Sequence, residues 1–132
     1  MRRVSRKRLD AIDNAREARQ KFAWEFPRCM LCGLEKCCMD THEIARGPSR
    51  HAAYEERCTW LRLCRECHEQ MGDYSVWPIE RQLALKLSRD AAFYSTRVFN
   101  EIRGRAAFAV NIRDVVPYLK TLPPLTGSPP QV

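Results

Sequence analysis

Cys29-Met30-Leu31-Cys32 and, further along the chain, Cys64-Arg65-Glu66-Cys67-His68 are the segments on which the fold turns. A Cys-x-x-Cys turn presents two thiolates to one metal ion, and tetrahedral zinc takes four such ligands. Two such pairs in one short chain point to a single structural zinc ion held by Cys29, Cys32, Cys64 and Cys67. The alternative is a set of buried free cysteines with no metal between them. Cys37, Cys38 and Cys58 are left over and read as small buried residues or bystander thiols. Cys37 and Cys38 are neighbours and could not easily both join that tetrahedron. A closed four-thiolate site has no open coordination position, so it can stabilise a fold but cannot activate water. Any chemistry must come from other residues.

Around these clips lies a chain of 132 residues, a length suited to one domain. Hydrophobic residues make up 45% and charged residues 30%, the balance of a soluble globular protein rather than a disordered one. No apolar run approaches the roughly 18–20 residues that a membrane helix needs, so no membrane association is expected. Met1-Arg2-Arg3-Val4-Ser5-Arg6-Lys7-Arg8 carries charge with no apolar stretch after it, unlike a secretory signal. The expected compartment is therefore cytoplasmic, where thiols stay reduced. An odd total of 7 cysteines argues against a disulfide framework there. The net charge of +7 and a pI near 9.3 attract polyanions, nucleic acid first among them.

The expected fold is α+β and mostly helical. Residues 1–26 read as a basic arm running into a helix. Leu9, Ile12, Ala15, Ala18 and Phe22 recur at helical spacing, Trp24 and Phe26 extend that face, and Pro27 stops it. Arg2, Arg3, Arg6, Lys7 and Arg8 are either a solvated helix face or phosphate contacts. Residues 27–72 form the zinc-bound core: a knuckle at Cys29–Cys32, a strand near 38–44, a loop over 45–57, a strand near 59–63 and a helix from Arg65. Residues 73–122 read as a helical extension packed on that core. Trp77-Pro78 marks a helix start, and Ile79, Leu83, Ala84 and Leu87 line one face of it. Asp90 is placed to cap a turn over 91–94, Phe99, Ile102 and Ala106 suggest another helix, and Asn111 with Asp114 resembles a capping pair. Residues 123–132 are Pro-rich and expected to be mobile.

A second constellation lies among the histidines. His42-Glu43-Ile44 follows the first clip, and His68 directly follows Cys67. If both clips hold one ion, a strand and a helix leaving that anchor side by side could bring the imidazoles together. Two neutral imidazoles and a phosphate oxygen suit a divalent cation such as magnesium, manganese or zinc. Glu43 could then act as general base or outer-shell partner.

This layout resembles the HNH endonucleases, which share a ββα-metal fold. The matching stretch is residues 29–68, under a third of the chain. Thr41-His42-Glu43-Ile44-Ala45-Arg46-Gly47 and Trp60-Leu61-Arg62-Leu63-Cys64-Arg65-Glu66-Cys67-His68 look like small HNH proteins of phage and prophage origin. The resemblance implies His42 and His68 as ligands of a catalytic metal, and Glu43 in the slot where the family has its general-base His. Thr59 falls where the family has an Asn that holds the first strand. A carboxylate in the base slot and Thr in the Asn slot depart from the family pattern. In the other register His42 is the base, with Asp40 or Glu43 on the metal.

The expectation is thus metal-assisted phosphodiester hydrolysis, DNA being the partner the resemblance favours, in a bacterial host cell. Arg46 and Arg50 would clamp adjacent phosphates. His51, in the same Arg-rich loop, reads as a solvent or phosphate contact. Two rivals stand beside this: an inactive zinc module that binds nucleic acid, and an adaptor in a phage packaging or recombination complex that uses its C-terminal half.

Overall fold

Ser5 opens the first helix by accepting the Arg8 amide on its hydroxyl, and α1 then runs Arg6–Glu25. In the computed structural model, which describes residues 5–45, 47–104 and 107–124, its buried stripe is narrower than its spacing suggests. Ala15 and Phe22 are buried, whereas Leu9 is half exposed and Trp24 is 88% exposed. Trp24 therefore does not extend the core-facing side; Phe26 does, packing beside Phe22 at 5.2 Å between ring centroids. Arg2, Arg3, Arg46, Ala106 and residues 125–132 of the Pro-rich tail lie outside the described residues.

The sheet is a single antiparallel pair. Strand β1 (Met39–Glu43) runs against β2 (Trp60–Cys64), with Met39 opposite Cys64, Thr41 opposite Arg62 and Glu43 opposite Trp60. The connection is not the plain loop expected. It holds a 3-10 turn at Gly47–Ser49, helix α2 (Arg50–Glu55) and a second 3-10 turn at Arg57–Thr59. Gly47 enters it at φ 72°, a left-handed conformation that glycine adopts without strain. The Ala52-Ala53 pair favours helix, and Ala53 is buried where its carbonyl accepts the Trp60 indole N–H at 2.7 Å. Helix α3 (Arg65–Met71) leaves β2 with no intervening residue, Cys64 being its N-cap.

The C-terminal half closes over this hairpin. Helix α4 (Ile79–Arg89) starts after Pro78 and buries five consecutive residues, Gln82 to Lys86. That is more than one amphipathic face: Leu83 and Ala84 are buried as the spacing predicts, but so are Gln82, Leu85 and Lys86. The helix is enclosed because it packs against the 3-10 turns at Arg57–Thr59, Ala91–Phe93 and Val116–Thr121 and against α6 (Ile112–Val115). Helix α5 (Thr96–Arg103) is capped by Ser95 and ends at Gly104, whose φ is 74°. Asn111 caps α6 through the Arg113 amide. The whole is mixed α+β, mainly helical. No described helix is long and apolar enough to cross a membrane.

Asp90 stands at the N-cap of the 3-10 turn as expected, but its side chain is used elsewhere. Its carboxylate makes no cap bond to the 3-10 turn that follows. Instead it accepts from Lys86 Nζ at 2.6 Å and from Arg57 at 3.2 Å. Lys86 is fully buried, and its ammonium also donates to the Trp60 carbonyl at 2.8 Å. Burial pulls its pKa down to about 8, against the partial opposition of Asp90. Arg57 reaches on to Glu25 at 2.6 Å and lies over the Phe93 ring at 3.8 Å. This ion cluster ties the end of α1 to the hairpin and α4.

Breaking a buried pair by removing one partner leaves an uncompensated charge, so Asp90→Ala should cost about 3–5 kcal/mol in denaturant unfolding. The pH dependence has a definite sign. The folded Lys86 titrates near 8 and the unfolded one near 10.5, so between these the unfolded state binds more protons and stability rises with pH. The stability of wild type relative to Lys86→Met should therefore increase from pH 8 to 10; a flat or falling difference would contradict the assignment.

Candidate metal centre and histidine pair

The first clip is a tight knuckle. The Cys32 amide donates to Cys29 Sγ at 3.5 Å, and the Gly33 amide to the Cys29 carbonyl at 2.8 Å. Gly33 turns the chain away at φ 78°. The Met30 amide donates to the Arg62 carbonyl at 2.8 Å, which lays the knuckle beside β2. The second clip is the junction of β2 and α3. One ligand atom from each of Cys29, Cys32, Cys64 and Cys67 lies within 4.8 Å of the others, and the sulfurs of Cys32 and Cys64 are 4.0 Å apart. Zinc–sulfur bonds of about 2.3 Å at tetrahedral angles put sulfurs about 3.8 Å apart, so the donor set fits zinc.

The electrostatics also call for a cation. Burial pushes the Cys67 thiol well up, and the adjacent Cys64 and Cys29 thiols push it further. Burial raises Cys64 as well. Burial opposes the Cys29 thiolate too, but the amides of Cys32, Cys64 and Leu31 outweigh it and hold Cys29 below the ordinary thiol value. The Cys29 thiolate is favoured, whereas Cys64 and Cys67 resist ionising without a positive charge beside them. The cluster could hold a metal ion such as zinc.

His42 and His68 come together separately from the sulfurs. His42 sits on β1 and His68 in α3, with ring centroids 4.9 Å apart and planes at 65°. His42 is 4% exposed, and its Nε2 lies 2.8 Å from Gln82 Oε1. The Gln82 amide nitrogen donates to the Trp77 carbonyl at 2.8 Å, which fixes the oxygen towards His42. The contact with that oxygen therefore places a proton on Nε2 of His42. The side chain of His68 is 38% exposed, and its Nδ1 lies 3.0 Å from Asp40 Oδ2. A carboxylate accepts the Nδ1 proton, so the lone pair of neutral His68 is on Nε2. Asp40 and His42 are two residues apart on β1 and so share a face.

The other candidate catalytic groups are not brought to this point. Glu43 adjoins His42 on a strand and so projects to the opposite face, where it accepts from Arg19 at 3.0 Å. Among the described residues, the four cysteines are the one set of three or more His, Cys, Asp and Glu donors close enough to share an ion. His42, Glu43 and His68 thus do not converge as a three-ligand site. Thr59 is buried and ties the end of β1 to β2: its Oγ1 accepts the Ala45 amide at 2.7 Å, and its carbonyl the Ile44 amide at 2.8 Å.

The basic candidates divide as well. Arg6 and Lys7 are exposed on the first turn of α1. Arg8 turns inward to Glu55 and to His51 Nδ1, the latter at 3.0 Å. Arg8, Ile12, Glu43, Arg50, His51 and Tyr54 line a surface cavity of about 310 Å³, on the Glu43 side of the strand. Gln82 was not legible as a site residue, because a polar residue inside an otherwise apolar helix stretch carries no sign of what it meets.

Purified protein should carry one zinc per chain by elemental analysis. Stripping it with a chelator, or the substitution Cys67→Ser, should lower the unfolding temperature sharply, since ion binding in such domains is part of folding. Cys58→Ala should keep its zinc. Metal-free protein that unfolds identically with and without zinc would rule the site out.

No protein-family model matches the chain, and no curated protein or solved structure is significantly similar to it.

Proposed function

We propose that the chain is a metal-dependent endonuclease of the HNH type that hydrolyses phosphodiester bonds in DNA. The observation that carries this reading is the histidine pair. An antiparallel hairpin followed directly by a helix holds two imidazoles 4.9 Å apart, each with one nitrogen given to a fixed acceptor. Metal-binding histidines are held in this way, the outer partner orienting the ring and raising the basicity of the ligating nitrogen. The pair would hold a divalent ion such as magnesium, manganese or zinc, with Gln82 and Asp40 fixing the orientation of the two rings. Bound there, such an ion would offset the charge that grows on the phosphate oxygens as the bond breaks.

The chain's own residues supply the rest. Gln82 holds the His42 ring in one orientation. Asp40, the carboxylate on the correct face of β1, holds the His68 proton in the outer-shell role considered for Glu43. Thr59 pins the end of β1, as the family's Asn does. The net charge of +7, with Arg6 and Lys7 exposed, provides salt-dependent attraction for a polyanion.

A second reading has its own support. His42 is only 4% exposed, and Glu43 is committed to Arg19, features of a zinc-anchored module that binds nucleic acid without cutting it.

Plasmid nicking with magnesium, manganese or zinc separates the two. The nuclease reading expects cutting by the wild type, its near-complete loss in His68→Ala, and a fall of about 10–100-fold in Asp40→Asn. Salt-sensitive DNA binding with no cutting under any metal would favour the second reading. Equal cutting by His68→Ala would place the chemistry elsewhere.

A further inference from the structure

We propose that Cys37 and Cys38 form a second, open thiolate site that takes a soft, thiol-seeking ion, whether a zinc-like divalent cation or a trivalent arsenical. Their sulfur atoms lie 3.8 Å apart, and both residues are exposed. Two sulfurs bound at about 2.3 Å and a tetrahedral angle are separated by about 3.8 Å, so the pair already stands at chelating distance. The backbone there is anchored: the Cys38 carbonyl accepts the Arg65 amide at 3.3 Å, one residue before β1 begins. The Cys37 thiol, hydrogen-bonded to Cys38, holds the Cys38 pKa above the ordinary value, since two thiols this close resist ionising together.

A direct disulfide is the competing fate, and geometry disfavours it. Adjacent Cα atoms are about 3.8 Å apart across a trans peptide, short of the roughly 4.4–6.8 Å that disulfides span. A bridging ion removes that conflict by standing between the sulfurs. The site also differs in kind from the four-thiolate cluster. Cys29, Cys64, Cys67 and Cys58 are buried and Cys32 is half-buried, whereas Cys37 and Cys38 are both exposed, so a reagent arriving from solvent meets this pair first. Two protein ligands leave coordination positions open, so the ion held there can exchange.

With an aryl arsenic oxide the step is balanced without an oxidant. Each thiol gives up its proton, two arsenic–sulfur bonds form, and the arsenic-bound oxygen leaves as water with both protons. Arsenic stays trivalent.

The test is titration of the full-length, zinc-loaded chain with phenylarsine oxide, read by native mass spectrometry that counts arsenic and zinc together. One arsenical per chain with zinc retained is expected. Cys37→Ser and Cys38→Ser should each keep their zinc and weaken uptake by about a hundredfold or more, because the second sulfur bond is intramolecular and its avidity is lost. The proposal fails if uptake is absent, if it is unchanged in both variants, or if each arsenical bound expels a zinc ion, which would locate the reaction in the buried cluster. None of these outcomes depends on whether the protein cuts DNA.

Discussion

Four sulfur atoms held within 4.8 Å of one another join a knuckle that precedes the sheet to the point where the sheet becomes a helix. Closing that loop costs chain entropy that grows only slowly with its length. Ion binding in small metal domains is worth roughly 10–16 kcal/mol in apparent free energy, enough to offset the closure. The geometry that results is more consequential than the energy. Cys64 is at once the last residue of β2 and the N-cap of α3. The angle between hairpin and helix is therefore set where the sulfurs gather, and His68, next to Cys67, falls against β1 as a result.

The apolar core and the buried ions share the remaining work unequally. Phe22, Trp60, Leu61, Leu63, Leu83, Leu85 and Phe99 come from α1, the hairpin, α4 and α5, so removing water from them gathers segments with no metal ligand. Lys86 and Asp90 could not lie in such a core alone. Together with Arg57 and Glu25 they form a run of alternating charge in which each member faces its opposite. Arg89 extends the same logic at the far end of α4, donating to the Met30 carbonyl of the knuckle and to the Pro123 carbonyl. The C-terminal half is thus fastened to the cysteine knuckle by directional bonds as well as by packing.

Much of this was legible in the residues. The Cys-x-x-Cys spacing identified the sulfur cluster, because coordination chemistry ties ligand type and spacing to one geometry. Short apolar segments located β1 and β2 to within a residue, and helical spacing of apolar residues marked out α1 and the start of α4. What was hidden depended on tertiary neighbours. The 45–57 segment looked like a loop, since a six-residue helix gives too few turns to show a period. Trp24 looked like core because its type is apolar, yet α1 offers it no surface to cover. Glu43 looked catalytic because it adjoins His42 in the chain; on a strand that adjacency guarantees opposite faces. Asp40, two residues before His42, is the neighbour a pleated backbone brings alongside. The link from His42 to Gln82 spans two segments with no common motif.

That link limits how the hairpin can be reused. The orientation of the His42 ring is dictated by an amide on α4, outside the stretch from Cys29 to His68 that looks self-sufficient. Knuckle, hairpin and α3 do not make an interchangeable cassette: grafted onto another scaffold, they would keep their sulfurs yet lose the amide that holds the His42 ring. Divergence in the C-terminal half would change how the pair is held without altering a single residue of the hairpin.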